Sequence, residues 1–315
     1  MPVALLTGVS GQTGSYLAEN LLARGWDVHG IQREDSRDPL VPAAVRLHQA
    51  DLADFSTTAE VVAEVSPDTL WNLAALSSVA ASWNRPLETS LLNGAAVANL
   101  LQAVDGLPSI PGGRGFVQAA SAEIFGSADV SPQTESTPIR PVNPYGASKA
   151  YAHVLVGAYR AAGLRASSVV LYNHESPRRP EAFVTRKITA GVARIVRGTQ
   201  SELVLGNLDA KRDWGWAPDY AEALALVGLS PTADDYVVAT GESHTIEEFV
   251  AAAFSAAGVT DWQDLVRIDP AFVRPTDAVE MRGDSTRIRH ALGWNPTLAF
   301  SGVVEAMVKH DLSTS

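Results

Sequence analysis

The residues of this chain with the clearest chemical potential are a tyrosine and a lysine four positions apart, Tyr145-Gly-Ala-Ser-Lys149. On a helix, positions i and i+4 share a face. A cation beside a phenol favours the phenolate, so the spacing predicts a tyrosine pKa below its usual value of about 10. Such a tyrosine can take a proton from a hydroxyl while that carbon is oxidised. Just upstream lies Ala119-Ala-Ser121-Ala-Glu123-Ile-Phe-Gly126. Ser121 reads as a hydrogen-bond partner for the same hydroxyl. Glu123 reads as a second base, because a new carbonyl acidifies the hydrogen on the neighbouring carbon. A Tyr–Lys pair at this spacing is common by chance, and a loop glutamate is usually only solvated. The pair therefore needs a companion site.

Gly8-Val-Ser-Gly11-Gln-Thr-Gly14 supplies one. It follows an apolar run and opens a helical pattern. Glycines at a strand–helix turn let the backbone approach a pyrophosphate, and the free N–H groups of the helix start favour an anion. The context predicts a dinucleotide, and with it a nicotinamide to accept hydride. Arg33 falls at the end of the second expected strand, where the adenosine ribose is read. A basic residue there suits a 2′-phosphate and hence NADP; Glu34 and Asp35 suit a free 2′-hydroxyl and hence NAD. Asp51 and Leu52 end the third strand and are candidates to hold the adenine. A third stretch, Asn173-His-Glu-Ser-Pro-Arg-Arg-Pro180, sets two arginines together in an acidic chain and suggests a bound anion.

These residues need elements to carry them. Val3–Leu6, 27–32, 45–49, 69–73 and 116–120 read as strands, with helical patterns at 15–23, 57–64 and 91–104 between them. Thr57-x-x-Glu60 and Thr245-x-x-Glu248 read as capping boxes. A helix is expected over 146–162, then a strand ending at Tyr172, a helix over 186–197, a short strand at 203–205, a helix over 218–229 and a strand at 236–239. Apolar strands alternating with helices mean an α/β fold: a Rossmann-type doubly wound parallel sheet, with a smaller discontinuous C-terminal lobe. The expected division is 1–172 with about 213–240 for the dinucleotide, and about 173–212 with 241–315 for a second ligand. The 315 residues, 46% hydrophobic, suffice for this. A net charge of −11 argues against nucleic acid as a partner. With no cysteine and scattered histidines, no metal site is expected. Val3–Leu6 is too short to cross a bilayer, which points to a cytoplasmic protein without a membrane partner.

With these motifs in order, the chain resembles the extended short-chain dehydrogenase/reductases, and within them the GDP-mannose 4,6-dehydratase family. The resemblance rests on Gly11-Gln-x-Gly-Ser-Tyr-Leu-Ala-Glu19, Asn72-Leu-Ala-Ala75, Asn173-His-Glu-Ser-Pro-Arg-Arg179, Phe183-Val-Thr-Arg-Lys187, Gly206-Asn-Leu-Asp-Ala-Lys-Arg-Asp-Trp-Gly215 and Arg274-Pro-Thr276. It implies catalytic roles for Ser121, Glu123, Tyr145 and Lys149. It implies cofactor contacts from Gly8, Gly11, Gln12, Gly14, Arg33, Asp51, Leu52, Leu73, Ala74, Ala75, Tyr145, Lys149, His174 and Arg179. For a GDP-sugar it implies Ser77, Asn173, Val184, Lys187, Arg212 and Arg274, with Arg212 and Arg274 on the diphosphate. A homodimer or homotetramer is also implied, with the helices over 91–104 and 146–162 as candidates for a shared bundle.

The chain departs from the family pattern in several places. Ser121-Ala122-Glu123 stands for Thr-Ser-Glu, so one hydroxyl is lost from a proton relay. Leu76 and Ser78 replace Gln and His, Glu88 replaces a Tyr, and Thr13 replaces an Asp of the glycine turn. These changes leave open a related 4-ketoreductase or epimerase, or a catalytically quiet sugar-nucleotide binder. The intact Tyr145, Lys149 and Glu123 favour an enzyme.

Overall fold

The computed structural model describes residues 1–34, 36–272 and 280–314. Its centre is a seven-stranded sheet. The strands are β1 (Val3–Thr7), β2 (Asp27–Gln32), β3 (Arg46–Gln49), β4 (Thr69–Asn72), β5 (Gly115–Ser121), β6 (Arg165–Leu171) and, after a long excursion, Asp235–Val238. Every pairing is parallel, and the order is Asp235–Val238, β6, β5, β4, β1, β2, β3. Sheet order reverses between β1 and β4. Ligands of open α/β sheets bind outside the carboxyl ends of the strands at such a point.

Buried parallel strands are apolar on both faces. Leu5 and Leu6 accordingly enter two different cores. Leu6 packs with α1 (Gln12–Ala23), which contributes Leu17 and Leu21, and with the helix Ala217–Leu229, which contributes Leu224. Leu5 packs on the other face with Val62 of α2 (Phe55–Val65), Leu100 of the helix Ala96–Asp105 and Val156 of the helix Pro144–Ala161. A third core joins Ile188, Phe249 and Val304, away from the sheet.

Several expectations need correction. Helix α2 is capped by Asp54, whose carboxylate accepts from Thr57 N at 3.1 Å, so Thr57 is not the cap. The run expected as one helix from Leu91 starts earlier. It comprises α3 (Val79–Asn84), α4 (Pro86–Ser90), a π turn over Leu91–Ala95 and α5 (Ala96–Asp105). The long helix α6 begins at Pro144, two residues before the expected start.

Beyond β6 come β7 (Asn173–Glu175), α7 (Val184–Val196), β8 (Leu203–Leu205), β9 (Lys211–Arg212), β10 (Trp214–Trp216), α8 (Ala217–Leu229) and β11, the sheet-edge strand Asp235–Val238. Then follow β12 (His244–Thr245), α9 (Ile246–Ala256), β13 (Val266–Ile268), β14 (Glu280–Met281), α10 (Thr286–Leu292) and α11 (Phe300–Ser313). The Thr245–Glu248 capping box of α9 forms as expected. The short pairs β7–β10 and β8–β13 and the three-stranded β12–β9–β14 are too brief to show periodicity, and the sequence did not announce most of them. Among the described residues no helix is long and apolar enough to cross a membrane.

Candidate active site

The glycine turn leaves β1 at Gly8, whose φ of +69° lies in the left-handed region. A Cβ on Gly8 would lie 2.7 Å from Ala74 N, and one on Gly14 would lie 2.1 Å from the Gly8 carbonyl. The turn's own packing therefore excludes side chains at both positions. Leu73 N and Ala74 N both donate to Thr7 Oγ1 at 3.1 Å, which fastens the end of β4 to the turn. Gly11 precedes α1 without any side-chain cap, so the amides of the first turn stay available to an anion.

The loop after β7 is pinned onto this turn. Gln12 Nε2 donates to the His174 carbonyl at 2.9 Å, and Ser176 Oγ donates to Gln12 Oε1 at 2.8 Å. His174 Nδ1 faces the Tyr172 carbonyl at 2.8 Å, which can only accept. The ring's Nε2 is therefore the acceptor, and the Thr13 hydroxyl donates to it at 2.7 Å. Thr13, a departure from the family pattern, thus has a defined partner. Burial, and secondarily the charge of Arg179, push the His174 pKa down to about 4. The ring stacks on Tyr220 with centroids 4.6 Å apart.

The two arginines of this loop separate. Arg178 donates to Ser15 Oγ at 3.0 Å and Glu19 at 2.6 Å and lies over the Tyr16 ring, so it anchors the loop to α1. Arg179 stacks on Phe183 and lies 3.4 Å from the buried Glu175 carboxylate, which also accepts from Thr185 at 2.6 Å. The Arg179 Nε is buried and, among the described residues, has no hydrogen-bond partner.

Across the sheet edge, β5 ends at Ser121, and a short 3-10 turn carries Glu123. Helix α6 presents Tyr145 in its first turn and Lys149 one turn on, both buried. The Ser121 hydroxyl accepts from Glu123 N at 3.3 Å and lies beside the Tyr145 phenol, whose anion it favours. The expected depression of the tyrosine pKa does not occur. Burial pushes the phenol up to about 12, the Glu123 charge adds to this, and Ser121 and Arg179 oppose it. Lys149 fails to win because its Nζ is aimed elsewhere: it donates to the Ala119 carbonyl at 2.8 Å and lies 6.0 Å from the phenol ring centroid. Burial pushes the lysine itself down to about 8. Glu123 Oε2 accepts from Asn143 Nδ2 at 2.8 Å. Ser121, Tyr145 and Glu123 thus form one corner with a hydroxyl, a phenol and a carboxylate. That set can exchange protons at two neighbouring carbons.

The remaining expected residues scatter more. Arg33 and Glu34 are exposed at the end of β2, while Asp35 lies outside the described residues. Asp51 accepts from Ala53 N at 2.9 Å and so shapes its own turn, and Leu52 packs on the second core. Ala75 is half-buried and Ser77 exposed beyond β4. Asn173 lies on β7, Val184 opens α7 against the third core, and Lys187 is one turn further along α7. Arg212 is buried on β9, with one guanidinium nitrogen donating to the Lys211 carbonyl at 2.7 Å. Arg274 lies outside the described residues. Glu88, replacing the family tyrosine, pairs with Arg85. Sequence reasoning missed Asn143, Glu175 and Thr185. Asn143 was within reach, since Asn before Pro at a helix start is a capping signature.

The family profile described as GDP-mannose 4,6 dehydratase matches residues 5–307. The chain is 44% identical to GDP-mannose 4,6 dehydratase 2 of Arabidopsis thaliana, covering 98% of this chain and 87% of that protein. It is 39% identical to the human GDP-mannose 4,6 dehydratase, covering 98% and 91%. In three dimensions it is similar to the Thermus thermophilus UDP-glucose 4-epimerase solved with NAD, with a TM-score of 0.85, 28% identity and coverage of 99% and 100%.

Proposed function

The chain belongs to the GDP-mannose 4,6-dehydratase family, and from that premise we propose that it removes water from a GDP-hexose to give the 4-keto-6-deoxy sugar nucleotide. The observation that carries this reading is the corner itself, where the turn bearing Ser121 and Glu123 is tied through Asn143 to the start of the helix that carries the buried Tyr145 phenol. The uncapped start of α1 and the glycine turn fit a nicotinamide dinucleotide at the sheet's switch point. A bound dinucleotide supplies the hydride acceptor for C4 and the donor for C6, and ends each turnover in the redox state in which it began.

The chain's own residues move the protons. Tyr145 takes the C4 hydroxyl proton at its phenol oxygen while Ser121 holds that oxygen. Arg179 is the cation whose charge favours the phenolate, and Lys149, with its Nζ on the Ala119 carbonyl, is assigned to the cofactor. Glu123 takes the C5 proton, acidified by the C4 carbonyl. Ala122 is buried and has no hydroxyl, so Glu123 itself returns the proton to the departing C6 oxygen, which leaves as water; once C6 has regained hydride, C5 takes a proton from solvent, balanced by the C4 hydroxyl proton that Tyr145 releases. We assign NADP on Arg33, with Glu34 as the residue favouring NAD; binding titrations with both dinucleotides decide between them. The GDP-sugar is assigned to Ser77, Asn173, Val184, Lys187, Arg212 and Arg274. The two ligands divide as residues 1–172 with about 213–240, and about 173–212 with 241–315. Exposed Leu87 on α4 and Tyr151 and Val154 on α6 support self-association through these helices.

The test is Glu123→Gln with GDP-mannose deuterated at C5. Loss of solvent exchange at C5 by about 10²-fold or more is expected. Undiminished exchange removes Glu123 as the base. In the wild type, the product should be lighter than the substrate by one water; an unchanged mass would mean epimerase or binder.

A further inference from the structure

Asn143 stands where the loop from β5 enters α6, 6% exposed, with extended φ of −147° and ψ of 159°. Its side chain does two things at once. Oδ1 accepts from Gly146 N at 2.7 Å and caps α6. Nδ2 donates to Glu123 Oε2 at 2.8 Å. The amide cannot be turned over, because the backbone N–H of Gly146 demands an oxygen and the carboxylate demands a donor. Gly146 completes the clamp. A Cβ there would fall 2.5 Å from the Glu123 carbonyl, so the first turn of α6 sits directly on the backbone of the 3-10 turn.

Capping alone does not require this residue, since serine, threonine and aspartate cap as well as asparagine. Only asparagine offers both a capping oxygen and a donor on one rigid plane. We propose that Asn143 is the positioning residue of the C5 base: it fixes Glu123 to the helix that carries Tyr145, and by occupying Oε2 leaves Oε1 as the oxygen that takes the proton. A hydrogen bond to one carboxylate oxygen lowers the basicity of that oxygen and removes the side chain's rotational freedom. The base and the phenol are then referenced to one rigid element, and the two proton transfers stay in register.

This inference rests on Glu123 being the base. The test uses the full chain loaded with dinucleotide and compares Asn143→Ser with Asn143→Asp. The serine keeps a capping oxygen and loses the donor. Melting and dinucleotide binding should stay near wild type, KM for GDP-mannose should change little, and kcat and C5 exchange should fall about tenfold to a hundredfold. The aspartate keeps the cap and sets a second carboxylate against Glu123. The acid limb of its exchange-rate profile should move to higher pH by about one unit or more. Tyr145, Lys149 and Arg179, the other ionisable groups of this corner, are the same in both variants. Wild-type exchange in Asn143→Ser overturns the inference, and so does an unmoved profile in Asn143→Asp. If Glu123→Gln retains exchange, the base assignment itself fails; if Glu123→Gln loses exchange and Asn143→Ser does not, only the role of Asn143 fails. Should the serine variant not fold, the aspartate profile decides alone.

Discussion

The dinucleotide cradle and the proton-transfer corner lie along the same sheet edge, and they are built on opposite rules. In the cradle, beside the Arg178–Glu19 ion pair further along α1, the side chains that join α1 to the β7 loop are Gln12, Thr13, Ser176 and a His174 held neutral. None of them changes charge near neutral pH. In the corner the working groups Tyr145, Lys149 and Glu123 are ionisable, and two of them are held by neutral partners: Lys149 by the Ala119 carbonyl and Glu123 by the Asn143 amide. The difference teaches a division of labour. A binding surface that must persist through turnover is made of groups that keep their charge state at neutral pH, while a surface that must pass protons includes a tyrosine and a lysine whose burial has moved them off their ordinary pKa values.

The sharpest way to break this division is Tyr145→Phe. The ring remains to fill the same space, and the cradle is untouched. Turnover should fall by about 10²–10⁴-fold, with dinucleotide affinity within about twofold of wild type on the same premise of separate sites. Titration of dinucleotide binding beside steady-state kinetics reads both. A variant that lost cofactor affinity in proportion to its rate would show that cradle and corner are one site, and the contrast would collapse.

The reciprocal change is Gly14→Ala. Its methyl would meet the Gly8 carbonyl at 2.1 Å, so backbone must move. Overpacking of this kind costs about 1–3 kcal/mol. The variant should melt earlier and bind dinucleotide more weakly. With dinucleotide at saturation, its rate per bound site should approach that of the wild type, because the corner draws nothing from Gly14. A rate that stays low at saturation would place the turn inside the chemistry.

How far the sequence revealed these two regions follows from the range of the contacts that make them. The glycine turn and the Tyr145–Lys149 pair are local patterns, and the parallel sheet follows from apolar runs alternating with helices. All of these were legible. The clamp between Glu123 and Asn143 spans twenty residues, and the Thr13–His174 bond joins residues 161 apart. Spacing says nothing about either. The tyrosine pKa was misread for a related reason. Sequence places Lys149 on the same helix face, but only the fold shows that its ammonium turns to the Ala119 carbonyl and that the phenol is buried. The cap of α2 slipped to Asp54 because Asp and Thr both suit the position, and the Asp54 carboxylate reaches the N–H and hydroxyl of Thr57.

The smallest expected effect concerns stability in acid. His174 has a folded pKa of about 4 against an ordinary value of 6.5. As pH falls through 6.5 the unfolded chain takes up this proton before the folded chain does. Stability from this group is therefore complete above pH 6.5 and declines as pH drops toward 4. His174→Phe keeps a ring over Tyr220 but cannot titrate. It loses the Thr13 and Tyr172 hydrogen bonds, so it should melt lower at neutral pH, by an amount set by about 1 kcal/mol for each bond lost. Its melting temperature should then fall less steeply than that of the wild type between pH 6.5 and 4. Carboxylates that titrate in that window contribute to both proteins, so the difference in slope isolates the imidazole. Tyr145 and Lys149, at about 12 and about 8, leave this window alone. Parallel curves would mean that His174 takes its proton in the folded chain as readily as outside it. The cradle would then titrate like the corner, and its neutrality would have to come from somewhere other than burial.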